Sequence, residues 1–143
     1  MIIAFYKSTP KGIKGLYNRL VRWWCRGTYS HCEILFSDGL CASSSFMDGG
    51  VRFKQINLNP HHWDFIRVPD WLERDARVWF ATYEGCKYDV LGNLHFVVGL
   101  VADDKRKWFC SEAVAAALGV TEPWRFDPNS LAALLHSIMI RKD

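Results

Sequence analysis

The stretch "SHCEILFSDG" (residues 30–39) decides the fold of this chain, because it predicts a strand together with the turn that ends it. Apolar and polar residues alternate through "HCEILF", which is the period of a half-buried β-strand. "SDG" then predicts a tight turn, and "LCASSS" (40–45) runs back beside the first strand. The turns "MDGG" and "NPHH" separate two more strands, "VRFKQINL" (51–58) and "WDFIRVP" (63–69). The block therefore predicts an antiparallel meander of about four strands.

Helical patterns surround this block. "MIIAFYK" (1–7) reads as a first strand, and "KYDVLGNLHFVVGLV" (87–101) stays open between a short helix and a strand. The predicted helices span 11–24, about 70–84, the Ala-rich 110–119, and 126–137 with Asp127 or Asn129 as its cap. The order of strand, helix, strand block and helices predicts an α+β fold, with about four to six antiparallel strands packed against helices.

Length and composition bound the possibilities. A chain of 143 residues, half of them hydrophobic, predicts one domain over residues 1–143. A net charge of +3 is too weak to indicate a nucleic-acid partner. We expect no signal peptide and no membrane-spanning segment, and hence a cytoplasmic or a virion-associated and released protein. Five cysteines without a CxxC pair favour reduced thiols.

Cys110 opens the Ala-rich helix "CSEAVAAALG". A nucleophilic cysteine must be a thiolate, and a helix N-terminus favours one through its unpaired N–H groups and partial positive charge. The same N–H groups could stabilise a developing oxyanion. The alternative is a buried thiol that packs behind Trp108 and Phe109.

A nucleophilic cysteine needs a base, and His31 is the strongest of five histidines. It opens the strand "HCEILF", where alternation places Glu33 on its face of the sheet and Cys32 on the other. The other four are predicted to be solvated, packed in the core or on the surface: His61, His62, His95 and His136. Cys25, His31, Cys32 and Cys41 are close in sequence, but their spacing fits no usual zinc pattern, so we predict no metal and no cofactor.

Three segments in order carry a family resemblance: "YSHCEILFSDG" (29–39), "GCKYDVLGNL" (85–94) and "WFCSEAVAAAL" (108–118). They resemble NlpC-type papain-like cysteine peptidases. In the common form of that family the cysteine helix precedes the histidine strand, whereas here the order is reversed. The chain is therefore similar to the circularly permuted branch, which includes YiiX-like bacterial and phage-encoded proteins and lecithin retinol acyltransferase-like enzymes. The resemblance covers about residues 28–118 and implies a permuted papain-like fold.

The resemblance implies Cys110 as nucleophile and His31 as general base, with a thioester acyl-enzyme between two half-reactions. Tyr88 matches the family's pocket tyrosine and implies a substrate or oxyanion contact, although it could also be a packed aromatic. Ser111 and Trp108, the neighbours of the nucleophile, are further candidates for such contacts.

The third member of the triad stays open. The family places a polar residue on the strand after the histidine strand, which here is "LCASSS". A two-residue turn would bring Ser44 to the His31 face, and a three-residue turn would bring Ser43 and Ser45. Glu33 is the alternative, unless it is an ordinary solvent-facing acid.

Three functions remain. The first is a cysteine hydrolase of an amide bond in peptidoglycan stem peptide or in another peptide or isopeptide. The second is a lipid acyltransferase or thioesterase with the same pair, which the lack of an apolar anchor disfavours. The third is a non-catalytic binding module or virion structural protein. Arg22, Arg26 and Arg52 could give a groove that suits an acidic peptide or a lipid head group. The oligomeric state is not predicted.

Overall fold

A sheet and four helices make up the part of the chain that the computed structural model describes, residues 1–9, 12–88 and 107–140. The strands are β1 (Ile2–Tyr6), β2 (His31–Leu35), β3 (Cys41–Ser45), β4 (Gly50–Lys54), β5 (Trp63–Arg67), β6 (Lys87–Tyr88) and β7 (Lys107–Trp108). The helices are α1 (Ile13–Trp24), α2 (Glu73–Tyr83), α3 (Cys110–Ala117) and α4 (Pro128–Ile140), with 3₁₀ turns at Asp70–Leu72 and Pro123–Arg125. The prediction of an α+β fold is confirmed.

The sheet has the order β5-β1-β2-β3-β4-β6-β7. All neighbours are antiparallel except β6 and β7, which run parallel. The described residues form seven strands, so the predicted number of about four to six strands is too low. Two of the strands, β6 and β7, have two residues each, too few to produce a readable alternation. Residues 89–101 of the ambiguous segment lie outside the described residues.

Sheet register positions the histidine strand. Tyr6 on β1 pairs with His31 on one side and with Trp63 on the other. In the next hairpin, Ile34 pairs with Ala42 and Leu35 with Cys41, so the turn consists of the three residues 37–39. The Oδ1 atom of Asp38 accepts a 3.1 Å hydrogen bond from the Leu40 N–H group across this turn.

Helix α3 packs against β2 and β3 in the centre of the core. Seven of its eight residues are buried, and an Ala-rich sequence suits this position because small side chains let the helix backbone approach the sheet closely. Large apolar side chains fill the remaining space in the core. They include Ile3, Phe5, Ile34, Phe80, Val114 and Leu131, each fully buried.

Several element boundaries differ from the predictions. The helix expected over about 70–84 begins with a 3₁₀ turn, and its α-helical part starts at Glu73. The strand expected over 51–58 ends at Lys54, because only residues 50–54 pair with a neighbour. Asp127 rather than Asn129 caps α4, since its Oδ1 accepts hydrogen bonds from the N–H groups of Asn129 and Ser130. No helix within the described residues is long and apolar enough to span a membrane.

Candidate active site

Cys110 is the first residue of α3, and two hydrogen bonds hold that helix end in place. The Phe109 N–H group donates to Oε2 of Glu112 at 3.2 Å, which caps the first turn. The Ser111 hydroxyl donates to the carbonyl of Phe126 at 2.6 Å and ties the turn to the segment before α4. The side chain of Ser111 is therefore used for anchoring, and the first turn carries the partial positive charge of a helix N-terminus.

The Cys110 thiol is fully buried and is hydrogen-bonded to the His31 side chain. It also contacts the thiol and the backbone of Cys32. Burial favours the neutral thiol, but the hydrogen bond from Cys32 and the charge on His31 outweigh it and lower the pKa of Cys110 to about 5. Cys110 is therefore poised as a thiolate at neutral pH.

His31 lies between two acidic groups. Its Nε2 atom is 2.7 Å from Oε1 of Glu33, which leaves Nδ1 as the ring nitrogen for Cys110. Burial disfavours the charged ring, but the Cys110 thiolate and the hydrogen bonds to Cys110 and Glu33 raise the pKa of His31 to about 10. The side chain is 22% exposed, and the edge contact with Trp63 brings the two ring centroids to 6.3 Å.

Glu33 is buried, with only 1% of its side chain exposed. Nη1 and Nη2 of Arg52 donate to its two oxygens at 2.7 and 2.6 Å, a bidentate pair. Burial opposes ionisation, but the hydrogen bonds from Arg52 and His31 lower the pKa of Glu33 below its ordinary value. The alternative in which Glu33 is an ordinary solvent-facing acid is therefore wrong. Asp48 completes the chain by accepting from Nε of Arg52 at 2.9 Å and from Lys54 at 2.6 Å.

Ser43 lies on the strand between Glu33 and Arg52, and its small side chain lets the Arg52 side chain reach Glu33. Ser43 pairs with Arg52, and continuing the β2–β3 register places Ser43 opposite Glu33. Side chains that are opposite in a sheet share a face, so a small residue at the middle position leaves room for the guanidinium group. The Ser43 hydroxyl donates to the Cys32 carbonyl at 2.7 Å and does not serve His31.

Ser44 and Ser45 are the remaining serine candidates for the third position. The Ser44 hydroxyl donates to the Trp108 carbonyl at 2.6 Å, which joins β3 to β7. Ser45 ends β3 opposite Gly50 and has no hydrogen bond to His31 among the described residues. Of the four candidates for the third position, the structure brings Glu33 to His31.

Cys32 is a neighbour of Cys110 that sequence reasoning missed. Alternation correctly places it on the core face, where it is fully buried, but α3 begins beside that face and Cys110 therefore meets both Cys32 and His31. Burial and the hydrogen bond to Cys110 raise the pKa of Cys32 well above its ordinary value. Cys32 thus remains a neutral thiol that donates to the Cys110 sulfur.

The segment that leads into β2 is fixed by α4. Oδ1 of Asn129 accepts from the Tyr29 N–H group at 2.8 Å, and Nδ2 donates to the Tyr29 carbonyl at 3.0 Å. A Cβ at Gly27 would overlap the Asn129 side chain, so glycine allows this close approach. The Tyr29 hydroxyl donates to Asp64 at 2.9 Å. His31 therefore enters its strand from an anchored backbone.

Tyr88 and Trp108 lie on the neighbouring strands β6 and β7, paired with each other. The Tyr88 ring meets the Phe109 ring edge-on, with centroids 5.8 Å apart, and Tyr88 is buried. Trp108 packs edge-on against Trp79 and Tyr83 of α2, at 4.8 and 5.2 Å. Both residues therefore lie beside the start of α3, with their rings packed against other aromatic side chains.

The remaining histidines are separate from the pair. His61, His62 and His136 are exposed, as predicted for residues in a turn and on a helix surface, and His95 lies outside the described residues. Within the described ranges, no group of three or more His, Cys, Asp or Glu side chains could hold a metal ion.

The cavity beside β2 and the candidate site lie at opposite ends of that strand. A cavity of about 1040 Å³ opens at the Leu35 end, lined by Phe36, Arg67, Glu73 and Arg77 among others. The Cys110–His31 pair lies at the opposite end. The cavity is therefore not part of the candidate site.

No family model matches the chain, and no curated protein matches it significantly. The class is defined by the site alone: a thiol, an imidazole and a carboxylate in one hydrogen-bonded line on an α+β scaffold.

Proposed function

We propose that this chain is a cysteine hydrolase with Cys110 as nucleophile, His31 as acid and base, and Glu33 as the residue that orients His31. One observation carries the proposal: His31 is hydrogen-bonded to Cys110 and, through Nε2, to buried Glu33. This is the arrangement of nucleophile, base and orienting group that activates a side chain for covalent catalysis. The same arrangement supports the permuted papain-like fold as the structural class.

The reaction follows from the protonation states. The Cys110 thiolate adds to the substrate carbonyl carbon, and the electron pair of the C=O bond moves to oxygen. The first-turn N–H groups of α3 are suited to stabilise that oxyanion. The oxyanion collapses as the carbon–nitrogen bond breaks, while the His31 imidazolium gives its proton to the leaving amine.

Water completes the cycle. His31, now neutral, takes a proton from a water molecule as its oxygen adds to the thioester. The carbon–sulfur bond then breaks, and the products are a carboxylic acid, the Cys110 thiolate and the His31 imidazolium. The lead substrate is an amide in a peptide or peptidoglycan stem peptide, as the family resemblance implies.

A second candidate uses the same residues on a lipid acyl ester or thioester. A specific feature favours it, because α1 exposes Leu16, Leu20 and Trp23 to solvent. The contact between His31 and buried Glu33 favours the catalytic candidates over a non-catalytic binding module, because it provides the orienting group that a base requires.

The test is a pair of substrate incubations, one with purified peptidoglycan and one with acyl esters of graded chain length. Wild-type protein should release new amines or muropeptides, and its intact mass should increase by one acyl group in rapidly quenched samples. Cys110→Ala should abolish both signals, and Cys86→Ala, at a half-exposed thiol, is the matched control. Turnover that survives in Cys110→Ala would contradict the proposal, as would unchanged turnover in His31→Ala.

A further inference from the structure

Helix α1 presents an apolar stripe to solvent. Leu16, Leu20 and Trp23 are 58%, 55% and 74% exposed. Their spacing of four and then three residues places them on one face of the helix. Single exposed leucines are ordinary, but three large apolar side chains in a row on one helix form a patch of the kind that marks an interaction site.

The N-terminal stretch of the chain that contains α1 carries basic residues but no acidic ones. Residues 1–32 contain six lysines and arginines and no acidic residue, whereas the remaining 111 residues contain twelve basic and fifteen acidic residues. Arg19 and Arg26 are exposed beside the stripe. An α1 face that is apolar in its middle and basic at its edges is complementary to a surface that is apolar inside and anionic outside.

A pocket adjoins the end of the stripe. It has a volume of about 650 Å³ and is lined by Arg22, Trp23, Arg26, Gly27 and Thr28. Arg22 is held by a 2.6 Å hydrogen bond from Nη1 to the Thr9 hydroxyl. Guanidinium groups bind phosphate oxygens in a bidentate manner, so two arginines in one pocket suit a phosphate ester.

We propose that α1 docks in the plane of an anionic phospholipid bilayer, with Leu16, Leu20 and Trp23 inserted and the Arg22–Arg26 pocket on a lipid phosphate. Twelve residues of helix extend about 18 Å, too short to cross a hydrocarbon core of about 30 Å. The helix therefore lies in the interface rather than across it. A second copy of the chain is a poorer occupant, because it would oppose one cationic face with another.

Docking would bring the membrane close to the candidate site. Cys25 directly follows α1, and His31 begins β2 six residues later. A bilayer-bound α1 would hold the start of β2 near the lipid surface. The docking surface is separate from the catalytic groups, so the two proposals can fail independently.

The test is sedimentation of the full chain with vesicles at about 0.1 M salt, where charges on the protein still interact with lipid head groups over about 10 Å. Vesicles of phosphatidylcholine are compared with vesicles that contain about 30% phosphatidylglycerol. We expect binding to the anionic vesicles to be at least about tenfold tighter than to the neutral ones. Absence of binding to the anionic vesicles would overturn the proposal.

Variants separate the apolar and the charged contributions. Trp23→Ala and the double change Leu16→Ser with Leu20→Ser should each weaken binding about tenfold or more, since each removes inserted apolar surface. Trp71→Ala is the matched control, because Trp71 is 72% exposed on another part of the surface. Equal weakening by Trp71→Ala, or none by either stripe variant, would contradict the proposal.

Arg19→Glu should also weaken binding about tenfold or more, with exposed Arg74→Glu on α2 as the control of equal net charge. Equal losses from both would point to net charge alone and would overturn the assignment to α1. Stripe-dependent self-association without vesicles, together with no vesicle binding, would assign the face to a second copy instead. All substituted side chains are exposed or at the surface, and thermal melting verifies that each variant is folded.

Discussion

The Glu33 carboxylate lies 2.7 Å from Nε2 of His31, and only Cys32 separates the two residues on β2. Residues two apart on a strand share a face, so the base and its orienting group come from one element. A shift in register between neighbouring strands leaves their relation intact. The contact between Arg52 and Glu33 does depend on register, because Arg52 lies on β4 and must reach Glu33 across β3.

Glu33→Gln tests the orienting role. The change keeps the shape of the side chain but removes the charge that stabilises the His31 imidazolium, and it removes one of the two carboxylates that pair with Arg52. We expect turnover to fall about tenfold to a hundredfold, and the free energy of unfolding to fall by about 3 kcal/mol. Kinetics and urea denaturation measure the two effects.

Glu84→Gln is the control for Glu33→Gln, because Glu84 is exposed at the end of α2. It should leave both quantities unchanged. An unaltered pH profile and full turnover in Glu33→Gln would exclude Glu33 from the triad.

Cys32→Ala tests the hydrogen bond that the second thiol gives to Cys110. Without this donor the pKa of Cys110 should rise, and alkylation of Cys110 at pH 5 should slow about tenfold, while the rate at pH 9 should change little. Cys41→Ala is the control, since Cys41 is equally buried in the adjacent strand. Equal behaviour of the two variants would show that Cys32 does not tune the nucleophile.

The pH dependence of turnover follows from the two pKa values. The pKa of Cys110 is lowered to about 5 and that of His31 is raised to about 10, so the thiolate–imidazolium pair exists between them. Turnover should rise as pH increases through about 5, stay level, and fall through about 10. A single rise near pH 9, typical of an isolated thiol, would refute the ion pair.

Asp48 makes stability depend on acid pH. Burial opposes its ionisation, but hydrogen bonds from Lys54 and Arg52 lower the pKa of Asp48 to about 2. Because the folded-state pKa lies below the unfolded value, this contribution is complete above about pH 4 and is lost as pH falls toward 2. Asp48 is exposed, so solvent screens its ion pairs, and Asp48→Asn should cost about 1 kcal/mol or less at neutral pH and progressively less below pH 4.

Urea denaturation of wild type and Asp48→Asn at several pH values measures this difference. Asp75→Asn is a suitable control, because Asp75 is exposed on α2. A difference between wild type and Asp48→Asn that stays constant from pH 7 to pH 2 would argue against the lowered pKa.

Local patterns were sufficient to predict much of the fold and the central pair. Alternation in "HCEILF" placed His31 and Glu33 on one face, and the Ala-rich run placed Cys110 at a helix start. The short strand β7 was missed, and β6 lay in a segment left open between helix and strand, because two residues carry no period. The choice among Glu33, Ser43, Ser44 and Ser45 depended on the turn length and on burial, which local sequence does not determine.

The position of Arg52 depends on the register of the sheet. The sequence indicates Arg52 only as a charge for a groove, whereas its pairing with Ser43 places it in one row with Glu33. An arginine opposite a serine, opposite a buried acid, is a pattern that can be found once the hairpin register is fixed. The contact between Cys110 and Cys32 could not be found in this way, because it depends on where α3 meets the sheet.

The most direct test of the central claim is the rate at which iodoacetamide labels each of the five cysteines at pH 6, measured by mass spectrometry of peptides. Cys110 is fully buried, while Cys25 and Cys86 are half-exposed, so accessibility and ionisation make opposite predictions. The account predicts that Cys110 reacts at least about tenfold faster than the others, and that His31→Ala removes the excess. Labelling of Cys110 that is slower than that of Cys25 and Cys86 would contradict it.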